Sequence, residues 1–209
     1  MSDLKKPKII VIHDDYAENS PIMVMLKERH GEENVLLIKH SKEGLDYVLD
    51  NLGNKMVVLL DNNFYGNKEM SGIKVFEKIR EKTSLVYVIL ITVSQITGLD
   101  EDELKMLINK DLFKFESSTS DYSTILSLVD DALLQLNLRV DCVIEEWIMR
   151  HPNDARNKPL IKNKDGVSFT MNEVLDSIRN QGEVGVDFER SLLKLAIEIF
   201  SRQKLINND

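Results

Sequence analysis

Three short apolar runs constrain this 209-residue chain more than any other feature: IIVI at residues 9–12, VVLL at 57–60 and VILI at 88–91. A strand with one wet face alternates apolar and polar residues. A run with no alternation is buried on both faces, as in the central strands of a parallel sheet. Two weaker runs, at 35–39 and 111–115, complete a set of five predicted strands at 8–12, 35–39, 56–60, 86–91 and 111–115.

Helical spacing fills the intervals between them. Ser20-Pro21 opens one helix, with Ile22, Met25 and Leu26 on one face. Ser41 is placed to cap 42–52, with Leu45, Val48 and Leu49 inward. Ser71 is placed to cap 72–82, with Val75, Phe76 and Ile79 inward. Asp100 and Glu103 have capping-box spacing ahead of Leu104, Leu107 and Ile108. A fifth helix begins near 119–121. Strictly alternating strands and helices imply right-handed crossovers and an α/β fold, a five-stranded parallel doubly wound sheet. Ligands of such sheets sit beyond the carboxyl ends of the strands, so chemistry is to be sought there.

The fifth helix does not stop where a domain boundary would put it. Ile125, Val129, Ala132, Leu136, Val140, Val143 and Trp147 follow at steps of three and four, and neither Pro nor Gly intervenes before Pro152. This spacing predicts one continuous helix over about 121–149. It leads from a domain at 1–138 into a mainly helical C-terminal segment at 139–209. Its stripe fits either a coiled-coil-like pairing or packing on the chain's own C-terminal segment. Residues 150–168 are polar, with two prolines and a glycine, and a short extended piece is expected around Leu160-Ile161. Thr170 and Glu173 form another capping-box pair, opening a helix at about 171–180. Gly182 and Gly185 are expected to break it before a last helix at about 187–204, with Phe188, Leu192, Leu195, Ile199 and Phe200 inward.

The net charge of −8 opposes general attraction to nucleic acid or anionic membrane. Residues 139–209 hold 11 Lys or Arg against 12 Asp or Glu, so −7 falls on the first 138 residues. The C-terminal helices around QGEVGVD could imitate a helix-turn-helix, but Asp187 and Glu189 would meet DNA phosphates badly. The single cysteine, Cys142, forms no internal disulfide and reads as a structural thiol. The basic residues Arg150, Arg156, Lys158, Lys162 and Lys164 read as a solvated loop. No apolar stretch approaches about 18 residues, so a cytoplasmic protein is expected.

The strand ends carry a distinctive set of polar residues. The first strand runs into His13-Asp14-Asp15, the third ends in Asp61 and the fourth in Thr92. Lys114 falls near the end of the fifth strand. Adjacent carboxylates repel one another unless a cation lies between them. An oxygen-rich cluster suits a hard ion such as Mg²⁺. With a hydroxyl and an ammonium at the same edge, Asp61 is set up to attack phosphorus as a carboxylate nucleophile. His13, His30 and His40 match no compact transition-metal spacing, although His13 is close enough to the acids to modulate their charge.

Residues 6–136 resemble the receiver domain of bacterial two-component response regulators, a flavodoxin-like fold. The resemblance rests on IIVIHDD at 9–15, VVLLD at 57–61, Met70-Ser71-Gly72, VILIT at 88–92 and Lys114. It implies that Asp61 accepts a phosphoryl group, that Asp14, Asp15, Asp61 and the backbone carbonyl of Asn63 hold Mg²⁺, and that Thr92 and Lys114 contact the phosphoryl group. It also implies a histidine kinase or phosphotransfer protein as donor, and transmission through the fourth helix, fifth strand and fifth helix. The output is then a protein contact or a homodimer formed through residues 139–209, with no enzymatic activity beyond self-phosphorylation. Three other readings remain: a phosphorylation-independent interaction module, a DNA-binding regulator, and a metal-dependent phosphatase using the same acids. The chain departs from the family pattern in three places. The segment between Asp61 and Gly72 is longer by about three residues, His13 replaces an aliphatic residue, and Phe115 stands where Pro follows the lysine. A strand slip of one residue would put Phe115 in the lysine's place, and a slip of two would put Glu116 there.

Overall fold

The computed structural model describes residues 6–206 apart from 53, 67, 68, 84, 94–97 and 164. The apolar runs are strands, β1 (Lys8–Ile12), β2 (Val35–Ile38), β3 (Met56–Asp61), β4 (Tyr87–Thr92) and β5 (Lys114–Ser117). They form one parallel sheet in the order β2-β1-β3-β4-β5. Every residue of β3 is buried, and β1 and β4 are buried from their second residues onward. The absence of alternation in these runs therefore has its expected cause, helices on both faces of the sheet.

Those helices are α1 (Pro21–His30), α2 (Ser41–Asp50), α3 (Gly72–Arg80), α4 (Glu101–Asn109) and α5 (Tyr122–Leu138). Pro21 stands in the first turn of α1, where its missing N–H costs nothing. The buried face of α1 is Ile22, Met23 and Leu26, and Met25 is turned outward. In α2, Ser41 is already helical and does not act as the cap. Its N–H and hydroxyl donate instead to the Glu69 carboxylate, at 2.8 and 2.6 Å. Asp100 and Glu103 form the anticipated reciprocal box on α4. Phe76, Ile79, Leu45 and Val48 close one face of the sheet against Ile10, Ile12, Val58 and Leu60.

The described residues divide into two compact units, one through Leu138 and one from Arg139 onward. In place of one helix over 121–149, α5 ends at Leu138 and α6 (Val140–Met149) begins after Arg139. The Arg139 guanidinium grips the Asp141 carboxylate through Nε at 2.9 Å and Nη2 at 2.8 Å. Residues two apart do not face each other on a continuous helix, so this bidentate pair goes with the interruption. The helical periodicity survives it, which is why the sequence alone does not reveal the break.

The second unit continues with α7 (Asn153–Arg156), the antiparallel strands β6 (Pro159–Lys162) and β7 (Ser168–Thr170), α8 (Met171–Arg179) and α9 (Glu183–Ile206). Thr170 and Glu173 make the second capping box. Its core is Ile144, Ile148, Val174, Leu175 and Ile178, with Leu160, Ile161, Phe169 and Phe188 against it. Gly185 does not break a helix. It lies within α9, and a Cβ there would stand 2.4 Å from the Ile178 amide nitrogen, so glycine permits the close approach of α9 to α8. Of the residues expected to point inward on the last helix, Phe188 packs on this core, whereas Leu192, Leu195, Ile199 and Phe200 are exposed. Cys142 is buried and forms no disulfide among the described residues. Lys164 lies outside the described residues. No helix among the described residues is long and apolar enough to cross a membrane.

Gly72 links this frame to the sheet edge. A Cβ at Gly72 would stand 2.1 Å from the backbone carbonyl oxygen of Asp61. A backbone atom cannot yield as a flexible side chain can, so Gly72→Ala is expected to cost about 1–3 kcal/mol. Urea denaturation checks this, with the loss confined to the transition of the first unit.

Candidate functional site

The sheet changes winding direction between β1 and β3, the place where open α/β sheets bind ligands. Ile12 pairs with Leu60, so the next residues, His13 and Asp61, emerge side by side on neighbouring strands. The His13 N–H donates to the Ile38 carbonyl at 3.0 Å, extending β1 to the level of Asp61. Asp61 is paired with Ile91 of β4, one residue short of Thr92.

Asp61 is only 5% exposed at the end of a wholly buried strand. Burial holds its carboxyl above the ordinary carboxylate range, partly offset by His13 and by backbone N–H groups of Asn63 and Asn62. His13 Nδ1 lies 3.7 Å from Asp14 Oδ1 and 3.9 Å from Asp61 Oδ2. Burial pushes the His13 imidazole below its ordinary value, against the attraction of Asp61, Asp14 and Asp15. The ring stacks on Tyr16 with centroids 3.7 Å apart. The N–H of Asp15 points at Nδ1 from 3.3 Å.

Asp14 Oδ2 accepts the backbone N–H of Tyr65 at 2.7 Å, while Asp14 Oδ1 is buried with no hydrogen-bond partner among the described residues. A buried carboxylate oxygen without a donor is costly, and a cation is the natural way to satisfy it. One ligand atom each from His13, Asp14 and Asp61 can be chosen so that all three lie within 4.8 Å of one another.

Described residues of the segment after Asp61 bond back to the helices that follow β2 and β3. Asn62 accepts the Gly72 N–H on its carbonyl at 3.1 Å and the Ile73 N–H on its side chain at 3.1 Å. Glu69 reaches the first turn of α2, where the bonds from Ser41 hold its carboxyl below the usual range. Ser71 caps α3 through the Lys74 N–H.

The structure thus brings Asp14 and Asp61 together, with Thr92 and Asn63 beside them. Thr92 is fully buried and its hydroxyl donates to the Asn63 side-chain oxygen at 2.8 Å. Two sequence expectations do not hold in space. Asp15 is exposed and lies outside the three-residue group, while His13, its neighbour but one, lies inside it. Lys114 opens β5 instead of closing it. It pairs with Ile89, whereas Ser117 pairs with Thr92 and Glu116 with Ile91. Three residues at about 3.3 Å each put the Lys114 backbone about 10 Å back from the edge. Its exposed ammonium stands 5.6 Å over the Phe113 ring.

The cause of the displacement lies in how α4 ends. The Leu112 N–H bonds the Leu107 carbonyl, and Asp111 adopts a left-handed backbone with φ of 54°. Arg80 holds the carbonyls of Lys110 and Asp111. Residues 110–112 are thereby spent on closing the helix, and the strand predicted over 111–115 starts at 114. Glu116 takes the place expected of the lysine, accepting the N–H of Ser117 at 2.8 Å and the hydroxyl of Ser120 at 2.6 Å. The local signal for this was the absence of Pro after Lys114. The signal for His13 was its position immediately beyond the β1 run.

No protein-family model matches the chain, and no curated protein matches it in sequence. Solved structures do match. A CheY-like response regulator receiver domain protein from Methanospirillum hungatei JF-1 is 16% identical, with 63% of this chain and 97% of that one covered and a TM-score of 0.50. A response regulator receiver domain protein from Clostridium thermocellum is 22% identical over 63% of this chain and 98% of that one, with a TM-score of 0.49. The signal receiver domain of a modulated diguanylate cyclase from Desulfovibrio desulfuricans G20 is 14% identical over 64% and 98%, with a TM-score of 0.45. At these identities the likeness is one of fold. The parallel sheet and its helices have the flavodoxin-like receiver architecture, and the C-terminal extension is unmatched.

The buried Asp61 carboxylate sets a pH dependence. Its charged form is penalised in the fold, so Asp61→Asn is expected to stabilise the protein at neutral pH, by roughly 0.5–2 kcal/mol. Below its raised folded value Asp61 protonates and the penalty fades. The advantage of the variant should therefore shrink as pH falls toward 3.8 and vanish below it. Thermal melts of both proteins in the absence of divalent cations, at a series of pH values, check this.

Proposed function

We propose that residues 6–138 are the receiver of a two-component response regulator, accepting a phosphoryl group on Asp61 beside a divalent cation such as Mg²⁺. The observation that carries this reading is the pairing of a nearly fully buried Asp61, at the carboxyl end of the central strand, with an Asp14 oxygen that has no hydrogen-bond donor among the described residues. A carboxylate set of this kind fits a hard cation. Asp14 and Asp61 would hold it, with the backbone carbonyl of Asn63 as a further oxygen. A bound cation supplies charge neutralisation for the phosphoryl oxygens.

The chain's own groups do the remainder. An Asp61 oxygen attacks the phosphorus of a phosphohistidine on a histidine kinase or phosphotransfer protein. The new P–O bond forms as the P–N bond breaks, and the departing imidazole takes up a proton. Thr92 is close enough to respond, because its hydroxyl already reaches the segment that follows Asp61. A phosphoryl oxygen would compete with Asn63 for that hydroxyl and draw the end of β4 toward Asp61. The segment 93–99 would move with it, and of that segment residues 94–97 lie outside the described residues. Transmission would run through α4, β5 and α5 to residues 139–209, acting as an output or oligomerisation segment toward a protein partner or a second copy.

A second reading is favoured by one observation, the placement of Lys114 away from the edge and of Glu116 in its stead. A site without that ammonium stabilises a phosphoryl group less, as would suit a phosphorylation-independent interaction module.

Intact-mass measurement with acetyl phosphate and Mg²⁺ separates the two. A single phosphoryl adduct is expected on the wild type and none on Asp61→Asn. Lys114→Ala is expected to label to within about twofold of wild type. No adduct under conditions where the protein is folded would overturn the first reading in favour of the second. The cation has its own signature. At a hundred times its Kd, Mg²⁺ is expected to stabilise the wild type by about 2.7 kcal/mol. Asp61→Asn should lose most of that gain in the same melts.

A further inference from the structure

We infer that His13 is itself a ligand of this cation site and tunes it toward a borderline divalent ion, such as Co²⁺ or Zn²⁺, in preference to Mg²⁺. The inference rests on the reading that Asp14 and Asp61 hold a divalent cation. It adds which third side chain completes the set and which metal class that set selects.

Geometry comes first. Two ligands on one ion, each at about 2.1 Å, can stand at most about 4.2 Å apart. His13 Nδ1 meets that limit with both carboxylates, at 3.7 Å from Asp14 Oδ1 and 3.9 Å from Asp61 Oδ2. Asp15, the other member of the acid pair, is exposed and outside the group. The residue that follows β1 level with Asp61 is His13, and the side chains grouped with Asp61 are those of His13 and Asp14.

The second observation concerns what the three atoms lack. Asp14 Oδ1 is buried without a donor among the described residues. Nδ1 is the ring nitrogen facing it, and the Asp15 N–H points at that same nitrogen. An Nδ1 that accepts a hydrogen bond carries a lone pair and no proton, which is the tautomer a metal requires. A lone pair set against two carboxylate oxygens is repulsive. A cation bound between them turns the repulsion into three bonds. The ring is held for this by its stack on Tyr16, and the 3.3 Å bond from Asp15 is long enough to be given up cheaply.

The metal class follows from the donor set. Mg²⁺ takes oxygen ligands in near-ideal octahedra and keeps much of its water. Imidazole nitrogen suits the later first-row ions, whose affinity for a nitrogen-containing site rises along the series to copper. One nitrogen and two carboxylates leave positions for water and for a phosphoryl oxygen, so the set remains compatible with chemistry at Asp61.

The test is isothermal titration of the metal-free full chain at neutral pH with Mg²⁺ and, separately, Co²⁺, with the visible absorption of Co²⁺ reporting nitrogen ligation. Wild type is expected to bind Co²⁺ at least tenfold more tightly than Mg²⁺. His13→Ala is expected to lower Co²⁺ affinity tenfold or more, to blunt its absorption change, and to lower the ratio of Co²⁺ to Mg²⁺ affinity severalfold. His13→Gln, which keeps a polar side chain of similar reach, provides the same comparison if the alanine variant does not fold. An unchanged ratio of Co²⁺ to Mg²⁺ affinity in these variants would refute His13 as a ligand while leaving the cation reading intact. So would a larger change of that ratio in Asp15→Asn than in either His13 variant. Absence of any Mg²⁺ or Co²⁺ binding to wild type, or binding that Asp61→Asn does not weaken, would instead sink the cation reading itself.

Discussion

A carboxylate at the end of a fully buried strand is out of place unless something answers its charge. β3 carries Asp61 into that position because five apolar residues precede it and both faces of the sheet are covered. The same burial that makes β3 a central strand raises the cost of ionising its last residue. Much of what surrounds this edge bears on that cost. Two backbone N–H groups favour the charge, as does His13 when protonated, Asp14 opposes it, and Gly72 lets the start of α3 close over the Asp61 carbonyl. The phosphoryl chemistry proposed for Asp61 draws on this tension, since a cation or a phosphoryl group changes the balance locally and strongly.

The loop from Asn62 to Gly72 shows how an insertion is accommodated without loosening the site. Its extra residues carry Glu69 across to the first turn of α2, where it holds Ser41, and Tyr65 back to Asp14. Glu69 and Tyr65 are thereby tied to α2 and to the acid cluster, and Tyr65 fixes one oxygen of Asp14 while the other has no donor among the described residues. In the second unit a comparable economy appears at Gly185, where lack of a Cβ lets α9 lie against α8. Beyond that contact α9 carries Leu195 and Phe200 at 54% and 67% exposure, an apolar face that its own unit does not cover.

Much of this was legible in the chain itself, and the successes share a cause. Central strands are marked by unbroken apolar runs because burial on two faces leaves no room for a polar residue. Capping boxes at Asp100 and Glu103, and at Thr170 and Glu173, are visible because both partners lie within four residues. The misreadings were of a different kind. β5 is an edge strand with one exposed and three half-buried residues, so nothing in its own pattern sets where it begins. The break at Arg139 leaves the three-four spacing intact. The exposure of Asp15 is a tertiary property that neighbouring letters do not encode.

By itself the sequence determined the number and type of the main elements of the sheet, the two capping boxes, and the convergence of Asp14, Asp61 and Thr92 at one sheet edge. Those features follow from periodicity and from interactions a few residues long. Tertiary structure alone decided that His13 stands level with Asp61, that Asp15 is exposed, and that Ser117 and Glu116, not Lys114, meet the end of β4. The first and last of these are matters of register between strands far apart in the chain. Register is set by hydrogen bonds across the sheet and by how the preceding helix ends, and a shift of one residue exchanges which side chains meet.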